Sequence, residues 1–136
     1  MKIYSADKVF PVDAPPIAQG YVAIRDDGTI DTVGSQDNLP DTDIIKLRGW
    51  IIPGMVNAHC HLELSHLVGR VDTGTGLLPF LKKVVTLREV EESLILDAIT
   101  EQDAYMYDHG IVAVGDICNT THTHNTKIKS PIRYYS

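Results

Sequence analysis

Apolar and polar positions alternate in short runs through the first fifty residues, and each run stops at a turn former. Lys2 to Phe10 is rich in β-branched and aromatic residues and ends at Pro11, which cannot continue a central ladder, so a strand is predicted there. Asp13-Ala14-Pro15-Pro16 predicts a loop, because two prolines fix φ and remove two donors. Gly20 to Arg25 predicts a second strand, Asp26-Asp27-Gly28 a tight turn, and Thr29 to Val33 the returning arm of that hairpin. A polar loop, Gln36 to Thr42, leads to a short strand from Asp43 to Leu47. This half reads as antiparallel, and its apolar residues are too few to close a sandwich alone.

The pattern changes at Gly49. Trp50 to Ala58 is a near-continuous apolar run, as in a strand buried on both faces, and it ends in His59-Cys60-His61-Leu62-Glu63. Beyond a glycine-bearing loop from Gly69 to Gly76, Phe80 to Glu89 predicts a helix with Pro79 near its first turn, where a missing N–H costs nothing. Glu91 to Asp108 predicts a second helix or a continuation, closed by Gly110. Leu94, Ala98, Glu101 and Tyr105 form one stripe of it, and Ile95, Ile99 and Met106 the adjacent one. Ile111 to Val114 predicts another buried strand ending at Gly115-Asp116, Asn119 to Ser130 a polar loop, and Ile132 to Tyr135 the start of a further strand. Strand, helices, strand, loop and strand start follow βαβ logic with a parallel sheet. The pattern stops in mid-unit at Ser136, which reads as the N-terminal fragment of a larger protein.

Composition narrows the class. Of 136 residues, 43% are apolar and 22% charged, which excludes disorder and fibre. Twelve Lys+Arg against 18 Asp+Glu give a net charge of −6, without the basic footprint that nucleic acid or anionic lipid requires. No apolar run approaches the roughly 20 residues that span a bilayer, and Met1 to Ser5 enters a strand pattern with no signal-peptide core. Cys60 and Cys118 make no disulfide framework and read as thiols. The expectation is a soluble, cytoplasmic chain without nucleic-acid or membrane partners. P-loop, G-x-G-x-x-G, H-E-x-x-H and C-x-x-C patterns do not occur.

The sharpest chemical signal is His59-Cys60-His61. In a strand the side-chain period is two, so both imidazoles share a face and Cys60 points the other way, as a small buried hydrophobe. The C-terminal end of a buried strand is where α/β sheets and barrels carry their sites. Two neutral imidazoles on one face supply half a tetrahedral shell for zinc or another divalent ion, with a structural histidine pair as the alternative. Glu63 either orients a histidine or meets substrate, or it stands as a solvated carboxylate at a loop start. His66 is a substrate contact or a surface loop histidine. Asp116 lines the site from the end of the second buried strand, or caps a turn or helix. His122-Thr123-His124 lies in a polar stretch without strand pattern and reads as loop. His109 reads as a helix C-terminal cap and Trp50 as packing between domains.

Pro53-Gly54-Met55-Val56-Asn57-Ala58-His59-Cys60-His61-Leu62-Glu63 closely resembles the first barrel strand of the metal-dependent amidohydrolase superfamily. More narrowly, it is similar to the branch holding cytosine, guanine, S-adenosylhomocysteine and aminofutalosine deaminases and the triazine hydrolases. Leu62-Glu63-Leu64-Ser65, followed by Leu77 to Leu81, points toward the aminofutalosine-deaminase-like members. The resemblance implies an α/β fold. Residues 1–48 would be the N-terminal strands of a composite β-sandwich, and residues 49–136 the first two to three strands of a (β/α)8 TIM barrel with a metal at its C-terminal mouth. It implies one divalent ion, Zn or Fe, with His59 and His61 matching its first two ligands, that polarises water for attack on an amidine carbon or amide carbonyl. The family's other ligands and its acid/base groups have no counterpart in these residues. No catalytic residue is therefore assigned, and the chain alone is expected to be inactive.

The expected parent is a metal-dependent hydrolase of a small molecule, foremost a deaminase of an amino-substituted heterocycle or nucleoside-derived purine. A ring-opening enzyme, imidazolonepropionase-like or dihydroorotase-like, is the alternative within the superfamily. A non-enzymatic remnant or interaction module, whose open sheet recruits a partner strand, is the alternative outside it. An incomplete barrel leaves open edges and an uncovered apolar face, so self-association is expected.

Overall fold

Alternation along Lys2–Val9 sorts the first strand, β1, into two faces. On one face Ile3, Ser5 and Val9 are buried and Asp7 is exposed; on the other Ala6 is buried and Lys2 exposed. The computed structural model describes residues 1–39 and 43–136. It forms two units, Met1–Pro53 and Gly54–Ser136.

In the first unit β2 (Ile17–Ile24) pairs antiparallel with β1, from Lys2 opposite Ile24 to Val9 opposite Ile17. β3 (Ile30–Ser35) returns beside β2 across the turn at Gly28, whose φ of 86° suits a residue without Cβ. Both strands of the expected hairpin are present, β2 beginning three residues earlier than Gly20. The other edge of β1 corrects the expectation of a wholly antiparallel half. β4 (Ile44–Lys46) runs parallel to β1 at Ile3–Ser5, and β5 (Trp50–Ile51) runs parallel to it at Lys8 and Val9. Those pairings join residues about forty positions apart, and the direction of a non-local partner leaves no mark on strand alternation. Ile3, Tyr21 and Ala23 form the core of this unit, with Leu39 and Ile44 against them. The Gln36 to Thr42 loop opens with a 3₁₀ turn at Gln36–Asn38, and its residues 40–42 lie outside the described residues.

The run from Trp50 to Ala58 is not one strand. It breaks at Pro53-Gly54: β5 belongs to the first sheet and β6 (Met55–Cys60) to the second. Proline supplies no ladder donor, which separates the two halves of an otherwise uniform apolar run. Trp50 stays 68% exposed and packs on Phe10 of its own unit, with ring centroids 5.3 Å apart.

In the second unit β6, β7 (Ile111–Asp116) and β8 (Arg133–Tyr135) form an all-parallel sheet in that order. A 3₁₀ segment (Leu62–Leu67), α1 (Leu77–Leu87) and α2 (Glu92–Asp108) connect β6 to β7. Gly110, at φ 82°, closes α2. Asn119 to Ser130 is not wholly loop, because α3 (His124–Lys129) forms within it. Leu62, Ile95 and Ile99 are the core, flanked by Cys60, Val90, Met106 and Tyr134. Of the two stripes on α2, the Ile95–Ile99 one is therefore buried, while Leu94 and Tyr105 are exposed. β6 is likewise not buried on both faces: Val56 is 65% exposed. The core residues meet the sheet on its Cys60 face, and the described elements leave the other face open. The chain is thus a mixed α/β protein with two sheets, and among its described residues no helix is long and apolar enough to cross a membrane.

Candidate functional site

The site lies where β6 and β7 end. Their pairing starts with Met55 opposite Ile111 and finishes with Cys60 opposite Asp116, the same spacing at both ends. Between them, Val56 faces Ala113 and Asn57 faces Val114, one residue out of step. One extra residue is looped out of β7 at Val112, and one out of β6 between Asn57 and Cys60. His59 sits in that second bulge, where its backbone N–H turns to the Asn57 side-chain oxygen at 3.3 Å. Bulges re-aim side chains beside functional sites.

The re-aimed histidines face each other. The His59 and His61 rings lie 5.3 Å apart, edge to face, and Cys60 turns instead to the Leu62–Ile95–Ile99 core. Burial, with the Asp116 carboxylate nearby, pushes the Cys60 thiol up to about 11. His61 Nδ1 is buried and has no hydrogen-bond partner. Such an atom costs about 1–3 kcal/mol if nothing meets it. Two imidazoles, one with an orphaned nitrogen, suit half of a zinc-type shell. Among the described residues no group of three or more His, Cys, Asp or Glu side chains is arranged to hold a metal ion. A depression of about 310 Å³ borders His61 but not His59, between the 3₁₀ segment and α2, with Cys60, Leu64, Gln102 and Met106 among its lining.

Glu63 is not a solvated carboxylate. It is 3% exposed, its Oε1 accepting from Asn119 Nδ2 at 2.7 Å and its Oε2 from the Asn119 backbone N–H at 3.2 Å. His66 is half-buried on the 3₁₀ segment rather than on an open loop, and both of its ring nitrogens lack partners. Asp116, at the end of β7, caps the first N–H of the 3₁₀ segment from across the sheet. Its side chain has no exposure, Oδ1 accepts the Leu62 backbone N–H at 2.8 Å, and Oδ2 pairs with Lys127 Nζ at 2.6 Å and accepts from Cys118 Sγ at 3.0 Å. Burial opposes its charge, but donors from Cys118, Lys127 and Leu62 outweigh it and hold the carboxyl below the usual range. Burial similarly opposes the Lys127 charge, and Asp116 with Cys118 raises it above the usual value.

Asn119, Cys118 and Lys127 have no role in the sequence reading. The available signal was position: they follow the C-terminal end of a parallel strand, the side on which such sheets carry sites. His122 and His124 do not form a second site. His122 lies 3.6 Å from Glu92, and His124 begins α3. His109 Nδ1 meets the Tyr105 carbonyl at 2.7 Å, the expected C-terminal cap. Both cysteines are free.

The fold is shared with solved structures of amidohydrolase-superfamily members, and those neighbours are enzymes. The chain is similar to the aminofutalosine deaminase of Helicobacter pylori, crystallised with methylthio-coformycin, at TM-score 0.79 and 21% identity over 98% of this chain and 34% of that one. It is similar to the atrazine chlorohydrolase of Arthrobacter aurescens, crystallised with zinc, at TM-score 0.73 and 18% identity over 98% of this chain and 34% of that one. In sequence it is 36% identical, over 64 aligned residues, to the imidazolonepropionase of Shewanella piezotolerans, a match spanning 38% of this chain and 16% of that protein. The chain thus spans about a third of the solved relatives' length. No family model matches it.

Proposed function

We propose that this chain is the N-terminal portion of a metal-dependent hydrolase, foremost a deaminase of an amino-substituted heterocycle or nucleoside-derived purine acting in the cytoplasm. The observation that carries the reading is the His59–His61 pair at the end of β6, 5.3 Å apart with a buried, unpartnered Nδ1. The zinc in one structural neighbour supports a divalent ion, Zn or Fe, on these two imidazoles. When bound, such an ion supplies a Lewis acid that makes water nucleophilic near neutral pH. His59 and His61 hold it, and the bulge in β6 sets their separation. Glu63 and Asp116 brace the loops behind them, and His66 stands where the same loop can meet substrate. Remaining ligands and the proton-transfer groups belong to the rest of a longer chain.

In the same reading, residues 1–48 contribute strands to a small β-sandwich, and residues 49–136 open a (β/α)8 barrel of about 250 residues. The exposed apolar side chains of β6 and α1, Val56, Leu77 and Leu78 among them, face the missing barrel strands, or a second copy when those are absent. The imidazolonepropionase match favours a second reading, ring opening of a cyclic amide. A substrate panel on the full-length protein separates the two: released ammonia marks a deaminase, and a new carboxylate without ammonia marks ring opening. Replacing His59 and His61 together by Asn should abolish both metal retention and turnover. Normal metal content in that double variant would end the reading.

A further inference from the structure

We infer that Asp116 and Lys127 are positioning residues for His61, acting through the backbone rather than through the imidazole. The inference rests on the metal reading above. Histidines that bind metals usually have the far ring nitrogen held by a carboxylate or carbonyl. In His61 the buried, unpartnered Nδ1 is the atom left for the ion, so its ring is oriented by contact with the His59 ring, 5.3 Å away, and by what fixes its main chain. On one side that is the β6 ladder. On the other, the chain leaves the strand at His61 (φ −128°, ψ 74°), and the next backbone donor, Leu62 N–H, is captured by Asp116 Oδ1 at 2.8 Å.

The capturing carboxylate cannot swing away. Its second oxygen is committed to Lys127 Nζ at 2.6 Å and to Cys118 Sγ at 3.0 Å, and it is wholly buried. Lys127 is itself anchored by Cys118 Sγ at 2.7 Å and Ser136 Oγ at 2.8 Å. Thus α3, a helix in a stretch that reads as loop, carries the cation that locks the anion that pins the residue after His61. Asn119 holds the side chain of the following residue, Glu63, through both carboxylate oxygens.

The test uses full-length protein, stripped of metal and titrated with zinc against a chromophoric chelator. Cobalt(II) absorption reports ligand geometry, and thermal melting reports folding. Asp116→Asn and Lys127→Met should weaken zinc binding by about 10–100-fold, the range for groups that orient a ligand, and shift the cobalt bands; Lys127→Arg should recover most of the affinity. In a His61→Asn background Asp116→Asn should add no further loss, because its effect passes through His61. Should Asp116→Asn not fold, Lys127→Gln, at a partly exposed side chain, carries the same expectation. Wild-type zinc affinity and cobalt spectra in the folded Lys127 variants would overturn the inference, whatever the melting temperature. So would an undiminished effect in the His61→Asn background. Zinc retained by the His59, His61 double variant would instead remove the metal reading, and this inference with it.

Discussion

Tyr134 of β8 donates its hydroxyl to Asp103 of α2 at 2.6 Å, across 31 positions of sequence. Ser130 donates to the same oxygen at 2.7 Å. Burial and the neighbouring carboxylate push the Tyr134 hydroxyl far above its usual range, so it remains a donor at every working pH. Tyr134→Phe leaves a buried carboxylate short of one partner, at a cost of about 1–3 kcal/mol. Urea unfolding of the variant should show that loss, and Asp103→Asn in the same background should recover part of it.

The Asp116–Lys127 pair makes stability depend on pH at both ends of the scale. Asp116 titrates lower when folded, so its contribution is present above the unfolded carboxylate value and is lost as pH falls through the folded one. Lys127 titrates higher when folded, so its contribution is present below the unfolded amine value and is lost as pH rises through the folded one. The facing groups are Cys60 and Cys118. Thermal melts should therefore plateau between mild acid and mild alkali. Asp116→Asn should flatten the acid fall, and Lys127→Met the alkaline one.

The two thiols should separate in reactivity. Cys118 is exposed, whereas Cys60 is half-buried with its titration moved up to about 11. Iodoacetamide at neutral pH should label Cys118 first, and Cys60 should follow only as pH is raised, because the thiolate is the nucleophile. Equal labelling rates by peptide mass spectrometry at pH 7 would contradict this environment for Cys60.

Gly115 has no room for a side chain. A Cβ there would stand 2.9 Å from the Ala58 carbonyl oxygen, a backbone atom that cannot step aside. Gly115→Ala should cost about 1–3 kcal/mol in chemical denaturation and displace β6 beside His59. Gly28→Ala meets no atom within 4 Å and is penalised only through its φ of 86°. The gap between the two variants isolates packing from backbone strain.

The strands and long helices were legible because their signals are local: alternation in β1, the Asp-Gly turn before β3, and the glycine that closes α2. The histidine pair was legible for the same reason, as a motif at a strand end. What escaped reading depends on partners far away in sequence. β4 and β5 take their direction from β1, and α3 forms in an Asn- and Thr-rich stretch whose Lys127 is held by Asp116. Glu63 carries no mark of burial, because the residue that encloses it, Asn119, lies 56 positions later. Within β6 the period of two is interrupted, so alternation alone does not give the angle between the two imidazoles.

The extra residues in β6 and β7 cancel each other, and that cancellation makes the length of each strand depend on the length of the other. Deleting Val112 alone would leave the β6 bulge uncompensated, and Asp116 would no longer arrive opposite Cys60 with its carboxylate under Leu62. Deleting Ala58 alone would do the same from the other strand and move the histidines as well. A variant that loses one of these residues must lose the other to keep Asp116 opposite Cys60. The two bulges thus form one structural unit written at two places in the chain.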